Sequence, residues 1–312
     1  MRILVVGAGA IGGYFGGRLL QAGRDVTFLV RPRRAAQLAK TGLVIRSPLG
    51  DADLATPPTI TAETLRDPFD LILLSCKAYD LASAADSFAP AVGAKTAILP
   101  FLNGMAHLDF LESRFGGGAV LGGQCVISTT LDDEGRILHL NDVHRVSFGE
   151  RDGSRSTRAE AIAATMTGAR FDSRLSTAIL QEMWEKWVFI ATTAGITCLM
   201  RASVGDIVAA EGVALTTSLL DECAGIAAER GFAPGKDNLA RSRTMLIAPG
   251  STFAASMLRD IERGAPIEAD HIVGDLLRRG ERKDHPLLRI AYTHLKAYEA
   301  RRQRENAAST RP

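Results

Sequence analysis

The chain has 312 residues, is 46% apolar and 23% charged, and carries a net charge of +2. That is an ordinary globular composition, long enough for two domains and a large core. It excludes low-complexity and fibrous classes, and it has no basic surplus arguing for nucleic acid or a membrane surface.

Ile3-Leu4-Val5-Val6 is a short apolar run that reads as a buried parallel strand. Gly7-Ala8-Gly9-Ala10-Ile11-Gly12 follows, and residues 10–22 have helical spacing with Ile11, Phe15, Leu19 and Leu20 on one side. Gly-x-Gly-x-x-Gly between a strand and a helix is the dinucleotide fingerprint in its required context. Gly7 permits the tight turn, Gly9 lets the backbone approach a pyrophosphate, and Gly12 lets helix and strand pack closely. The helix N-terminus offers free N–H groups and a positive dipole end to the phosphates. A second strand, residues 25–30, ends without the Asp or Glu that takes the ribose 2′-hydroxyl in NAD sites. Arg31, Arg33 and Arg34 stand there instead. Such forked cations suit a 2′-phosphate, so NADPH is the expected cofactor, with Arg31 its first contact. A solvated basic loop is the plainer alternative.

A polar helix is expected over residues 33–40, then short strands over 43–47 and 52–60, the second broken by Pro57-Pro58. Residues 69–75 form the next buried strand and deliver Cys76-Lys77-Ala78-Tyr79, with a helix over 79–89. Residues 96–101 deliver Leu102-Asn103-Gly104-Met105, with a helix over 106–115. This alternation predicts an α/β fold with an N-terminal Rossmann-type doubly wound sheet. Ligands of such sheets bind outside the carboxyl ends of the strands, so Lys77 and Asn103 should face the crevice of Gly7 to Gly12. A surface-loop lysine and a turn residue beside Gly104 are the alternatives.

Strands over 120–130, 136–140 and 145–149, with turns at 132–135 and 141–142, suggest an antiparallel extension of the sheet. A helix over 154–167 and an edge strand over 170–172 follow. Beyond residue 173 the strand signals stop. Helical patterns run over 178–200, 202–230, 238–246, 251–263, 271–279 and 286–304, and 306–312 read as a frayed tail. The expected division is an NADP-binding domain over 1–173 and an all-helical substrate and catalytic domain over 174–312. The apolar helices serve either a homodimer interface or the domain junction. Cys76, Cys125, Cys198 and Cys223 are far apart and form no Cys-x-x-Cys. The histidines show no zinc-ligand spacing, and His139 and His144 flank the turn at 141–142, so no metal is expected. Without a signal-peptide pattern or a spanning apolar run, a cytoplasmic location is expected.

Lys186 is anomalous, because residues 187–200 after it carry no charge. A lysine there either snorkels to the surface or sits in a cleft, where partial desolvation suits it to donate a proton. A salt bridge with Glu182 or Glu185 is the plain alternative. Glu268 lies where a loop enters a helix, and the helix dipole alone favours a carboxylate there. Ser256 could equally be a small residue on a helix face.

Together these motifs resemble the ketopantoate reductase (2-dehydropantoate 2-reductase) family over nearly the whole chain. The resemblance rests on Gly-Ala-Gly-Ala-Ile-Gly, Cys-Lys-Ala at Lys77, Asn-Gly-Met at Asn103, Trp-Glu-Lys at Lys186, Ser-Met-Leu-Arg-Asp-Ile from Ser256 and Pro-Ile-Glu at Glu268. It implies NADPH-dependent reduction of ketopantoate to pantoate, a step of pantothenate synthesis, in a cleft between two domains. It makes Lys186 the proton donor. It also implies that Asn103 touches cofactor and substrate, Lys77 lies beside the nicotinamide end, and Ser256 contacts substrate. Glu268 would lie near the nicotinamide ribose and the reacting centre, binding both cofactor and substrate, and Ser128 would lie along the cofactor. Three positions depart from the family's usual asparagines: Ile190, Ala194 and Phe253. Losing hydrogen bonds of this kind can cost factors of order a thousand, so a more apolar 2-keto acid is the rival substrate. The rival from another class is a non-catalytic dinucleotide sensor, against which stands the retention of Lys77, Asn103, Lys186 and Glu268 together.

Overall fold

The structure, a computed structural model, describes residues 1–280 and 284–309. By its contacts the chain divides into two units, residues 1–102 with 107–179, and residues 103–106 with 180–312. The expected boundary at 173/174 would cut a strand, and residues 103–106 group with the helical part although they follow a strand of the first.

The first unit is built on a parallel sheet. Strands β1 (Arg2–Val6), β2 (Asp25–Leu29), β5 (Thr59–Ile60), β6 (Leu71–Leu74) and β7 (Ala97–Pro100) lie in the order β5-β2-β1-β6-β7. Every pairing in it is parallel. Ile3, Leu4, Leu71, Ile72, Leu74, Ile98 and Leu99 are fully buried, as strands covered on both faces must be. The chain leaves central β1 for β2 on one side and later fills β6 on the other. The switch point of this Rossmann-type sheet is therefore at the carboxyl ends of β1 and β6.

The strands after residue 120 do not extend this sheet. They form a second one, β10 (Asp172–Leu175)-β9 (Ile137–Gly149)-β3 (Leu43–Arg46)-β4 (Ala52–Leu54), with β8 (Gly122–Leu131) also paired to β9. One bridge, Ile98 to Val120, links it to β7. The reason lies in helix α1 (Ala10–Gln21). A Cβ on Gly16 would come within 2.7 Å of Phe28 in the first sheet, and one on Gly13 or Gly17 within 2.6 or 2.9 Å of Ile137 or Ile45 in the second. The Gly12-Gly13-x-x-Gly16-Gly17 pattern thus gives α1 two bare faces, and a sheet packs on each.

The expected turn at Asn141-Asp142 is not one. β9 runs through it as a bulge, in which Ile127 pairs with His144 and Thr129 with His139. The bulge brings the two imidazoles into a stack, 5.7 Å between centroids. The Tyr14 hydroxyl lies 2.7 Å from His144 Nδ1, and the Ser47 hydroxyl 2.8 Å from His139 Nδ1. Burial holds the His144 imidazole below its usual range, helped by the neighbouring His139 and Arg18 charges and opposed by Asp172. The unfolded chain then binds a proton more readily than the fold, so this contribution is whole above about pH 6.5 and is lost as pH falls below it. Thermal unfolding of His144→Gln is expected to lose less melting temperature between pH 7 and pH 5 than the parent. Parallel slopes would refute this.

Between the strands run α2 (Pro32–Thr41), α3 (Leu81–Phe88), α4 (Ala106–Phe115) and α5 (Thr157–Met166). The second unit is helical: α6 (Ile179–Met200), α7 (Val204–Ala209), α8 (Val213–Glu229), α9 (Lys236–Leu246), α10 (Ser256–Glu262), α11 (Asp275–Arg279) and α12 (Pro286–Ser309). Helix α8 packs against α9, α11 and α12, around fully buried Leu220, Cys223, Ile226, Leu288 and Leu295. Residues 306–309, expected to fray, continue α12, and 310–312 lie outside the described residues. Among the described residues no helix is long and apolar enough to cross a membrane.

Candidate functional site

Each unit carries one part of the predicted site. In the first, Gly7 has φ +92°, which lets the chain turn from β1 into α1, and its N–H donates to the Leu29 carbonyl at 2.9 Å, tying the start of that turn to the end of β2. A Cβ on Gly12 would sit 2.2 Å from the Ser75 hydroxyl and 2.3 Å from the Gly7 carbonyl, so only glycine fits. A Cβ on Gly9, by contrast, would meet nothing within 4 Å. Gly9 is thus not required by the fold around it, and its bareness suits a group arriving from outside. It caps α1 without a side-chain bond, and no acid stands in the first turn, so the amides of that turn can receive an anion. Ala8, Ala10 and Ile11 complete this cradle, which fits a dinucleotide pyrophosphate.

Arg31 caps α2 (Pro32–Thr41) with a side chain 74% exposed and 2.9 Å from Asp80. Arg33 is exposed as well. Arg34 is not a free cation. Its guanidinium donates to the Ala8 and Gly135 carbonyls and to Gln37, which braces the glycine turn from behind. Lys77 is half-buried and opens a 3-10 turn after β6, the strand next to β1. Ser128 lies opposite the β9 bulge, its N–H donating to the Asn141 side chain at 3.3 Å.

In the second unit, Lys186 is half-buried on α6. Phe189, Ile190, Thr193 and Thr197 follow at helical spacing on the same side. Glu185 accepts from Gln181 and from the Gly235 N–H, at 3.2 and 2.9 Å. The segment before α10 is pinned to this side of the helix. The Ala255 N–H donates to the Thr197 hydroxyl at 3.3 Å, and the Val204 N–H to the Phe253 carbonyl at 2.9 Å. Ser256 is thereby exposed at the start of α10, and the Phe253 ring stacks on Phe189 at 5.8 Å and 19°. Of the three positions that lack asparagine, Ile190 is half-buried and Phe253 is 39% exposed, while Ala194 is packed away at 2%. Only Ile190 and Phe253 therefore present a changed surface.

Glu268 is nearly buried and enters a π-turn over residues 270–274, its carbonyl accepting from Ile272 at 3.0 Å. The Ile272 carbonyl accepts from the Trp187 indole at 2.8 Å, tying this turn to the residue next to Lys186. Asn103 belongs to the same unit, because Gly104 (φ +78°) packs directly on His271. Lys186, Asn103, Ser256 and Glu268 are thus all carried by one unit, and Gly7 to Gly12, Arg31, Lys77 and Ser128 by the other. Sequence reading missed His271. Its signal was the three-residue spacing from Glu268, one turn along a helix.

The chain matches the family described as Ketopantoate reductase PanE/ApbA over residues 3–153, and Ketopantoate reductase PanE/ApbA C terminal over 178–299. It is 38% identical over 303 residues to the uncharacterized oxidoreductase YkpB of Bacillus subtilis, covering 96% of this chain and 99% of that one. The crystal structure of 2-dehydropantoate 2-reductase from Geobacter metallireducens is similar with a TM-score of 0.86 and 28% identity, covering 95% and 99% of the two chains. A ternary structure of D-mandelate dehydrogenase with NADH and anilino(oxo)acetate has a TM-score of 0.87 over 97% and 100%; at 20% identity the likeness is one of fold.

Proposed function

This chain belongs to the ketopantoate reductase family, and on that premise we propose that it is an NADPH-dependent 2-keto acid reductase, with ketopantoate the first substrate to consider. The observation that carries the reading is the joining of the Asn103 segment, the Glu268 turn and the Lys186 helix within one unit. The chemistry NADPH supplies when bound is a hydride for the carbonyl carbon. Negative charge then develops on the carbonyl oxygen, and Lys186 Nζ stabilises it and delivers the proton. Asn103 and Ser256 hold the acid so that its carbonyl carbon is presented for reduction. Glu268 and Lys77 would hold the nicotinamide end, Gly7 to Gly12 would receive the pyrophosphate, and Ser128 would lie along the cofactor.

NADPH rather than NADH is favoured by Arg31, which stands after β2 where an NAD site has a carboxylate. Asp80 at 2.9 Å competes for its guanidinium, and the pair is solvent-exposed, so the discrimination is modest. Arg31→Ala is expected to raise the KM for NADPH about three- to tenfold and to leave that for NADH unchanged, in initial-rate assays with both. Equal changes for the two cofactors would remove Arg31 from the 2′-phosphate site.

A second reading, a reductase of a more apolar 2-keto acid, is favoured by Ile190 and by the stack of Phe189 on Phe253, three residues before Ser256. NADPH oxidation with ketopantoate, run beside a smaller and a bulkier apolar 2-keto acid, tests both. Preference for ketopantoate supports a place in pantothenate synthesis. Preference for an apolar acid supports the second reading. Tight NADPH binding without turnover of any acid would leave a dinucleotide sensor.

A further inference from the structure

His271 holds a place that no part of the mechanism above uses. Its carbonyl lies 2.8 Å, and its ring Cδ2 and Nε2 3.2 and 3.5 Å, from where a Cβ on Gly104 would stand. The Cδ2–Nε2 edge of the imidazole therefore abuts the main chain that presents Asn103, and only glycine at 104 allows that approach. The side chain also hydrogen-bonds the Asn103 main chain. Burial keeps the imidazole below its usual range. The Glu268 and Asp275 carboxylates oppose this, as does the Asn103 bond, and the Arg279 cation adds to it. A bond that favours the protonated ring is one the ring donates, so a ring N–H reaches the Asn103 carbonyl. The same residue belongs to the π-turn that follows Glu268, and the next carbonyl, of Ile272, takes the Trp187 indole at 2.8 Å. Arg279 stands over that indole, 5.7 Å from its centroid. Irregular π-turns recur where a helix is bent to serve a site.

We propose that His271 is a positioning residue: its imidazole locks the Asn103 main chain onto the π-turn that follows Glu268, so that the Asn103 amide and the Glu268 carboxylate are held in one frame. This rests on the reading of Asn103 and Glu268 as groups of a keto acid reductase. A misplacement of about 1 Å at such a group can cost about 100-fold in rate. Glutamine keeps a side-chain N–H donor of similar reach, whereas leucine removes it.

The test is a double-mutant cycle on the full-length enzyme, with NADPH and the best keto acid of the panel, and melting temperatures recorded alongside. His271→Leu is expected to lower kcat about 10- to 100-fold, and His271→Gln to restore it to within about threefold. In an Asn103→Ala background the His271→Leu loss is expected to disappear, because the group being positioned is already gone. Should His271→Leu fail to fold, His271→Met, of similar length and without a donor, replaces it in the cycle. Additive losses, or no rescue by glutamine, in an enzyme that Asn103→Ala impairs would overturn the role of His271 alone. A parent protein that oxidises NADPH with no keto acid would overturn the reading of the site, and this proposal with it.

Discussion

Lys186→Ala is expected to lower kcat by about a hundred- to ten-thousandfold while the dissociation constant for NADPH stays within about twofold. The two parts of the prediction come from different places. Lys186 lies on α6 in the second unit, whereas the pyrophosphate cradle lies in the first, between β1 and α1. On the proposed mechanism the ammonium faces the oxygen on which negative charge develops, and it gains little from the ground-state carbonyl. Its removal therefore falls on kcat rather than on binding. The measurement is steady-state kinetics at saturating NADPH, with fluorescence titration of the cofactor. Weak NADPH binding with normal turnover at saturation would assign Lys186 to the cofactor instead.

Phe253→Asn is expected to shift the ratio of kcat/KM between ketopantoate and a bulky apolar 2-keto acid by about 100-fold toward ketopantoate. Phe253 is 39% exposed, and its ring rests on Phe189, three residues along α6 from Lys186. Its main chain is fixed by the Val204 N–H, and the Ala255 N–H two residues on is fixed by Thr197, so the new amide inherits a defined place. An asparagine there supplies hydrogen bonds to a hydroxylated substrate and removes apolar area that an apolar side chain would cover. A site that hydrogen-bonds a substrate hydroxyl discriminates far more strongly than one offering only apolar surface. An unchanged ratio would take Phe253 out of the substrate site. The matching change at Ala194 is expected to do harm without changing preference, since that position is 2% exposed and an amide there would be buried.

What the sequence determined by itself was local and periodic. The apolar run at Ile3 to Val6, the glycines at 7, 9 and 12 and the helical spacing after them specify strand, turn and helix within one stretch of chain, each residue acting on near neighbours. The same holds for the strands before Lys77 and Asn103, and for the change to all-helical patterning in the last third. The candidates Lys77, Asn103 and Lys186 were legible because a charge or amide beside an apolar run stands out, whereas Ser128, Ser256 and Glu268 took their roles from the family resemblance. What only the tertiary structure decided depended on contacts distant in sequence. The second sheet forms because β3 pairs with β9, some ninety residues on, on the bare face of α1. The apparent turn at Asn141-Asp142 is a bulge because its partner strand continues past it, which no local signal reports. Arg34 resembled Arg31 in sequence until the Ala8 and Gly135 carbonyls claimed it. Asn103 groups with the helical unit because Gly104 packs on His271, 167 positions later. Periodicity shows which face of an element is apolar. It does not show what covers that face, and at the candidate site that covering decides which polar groups are held together.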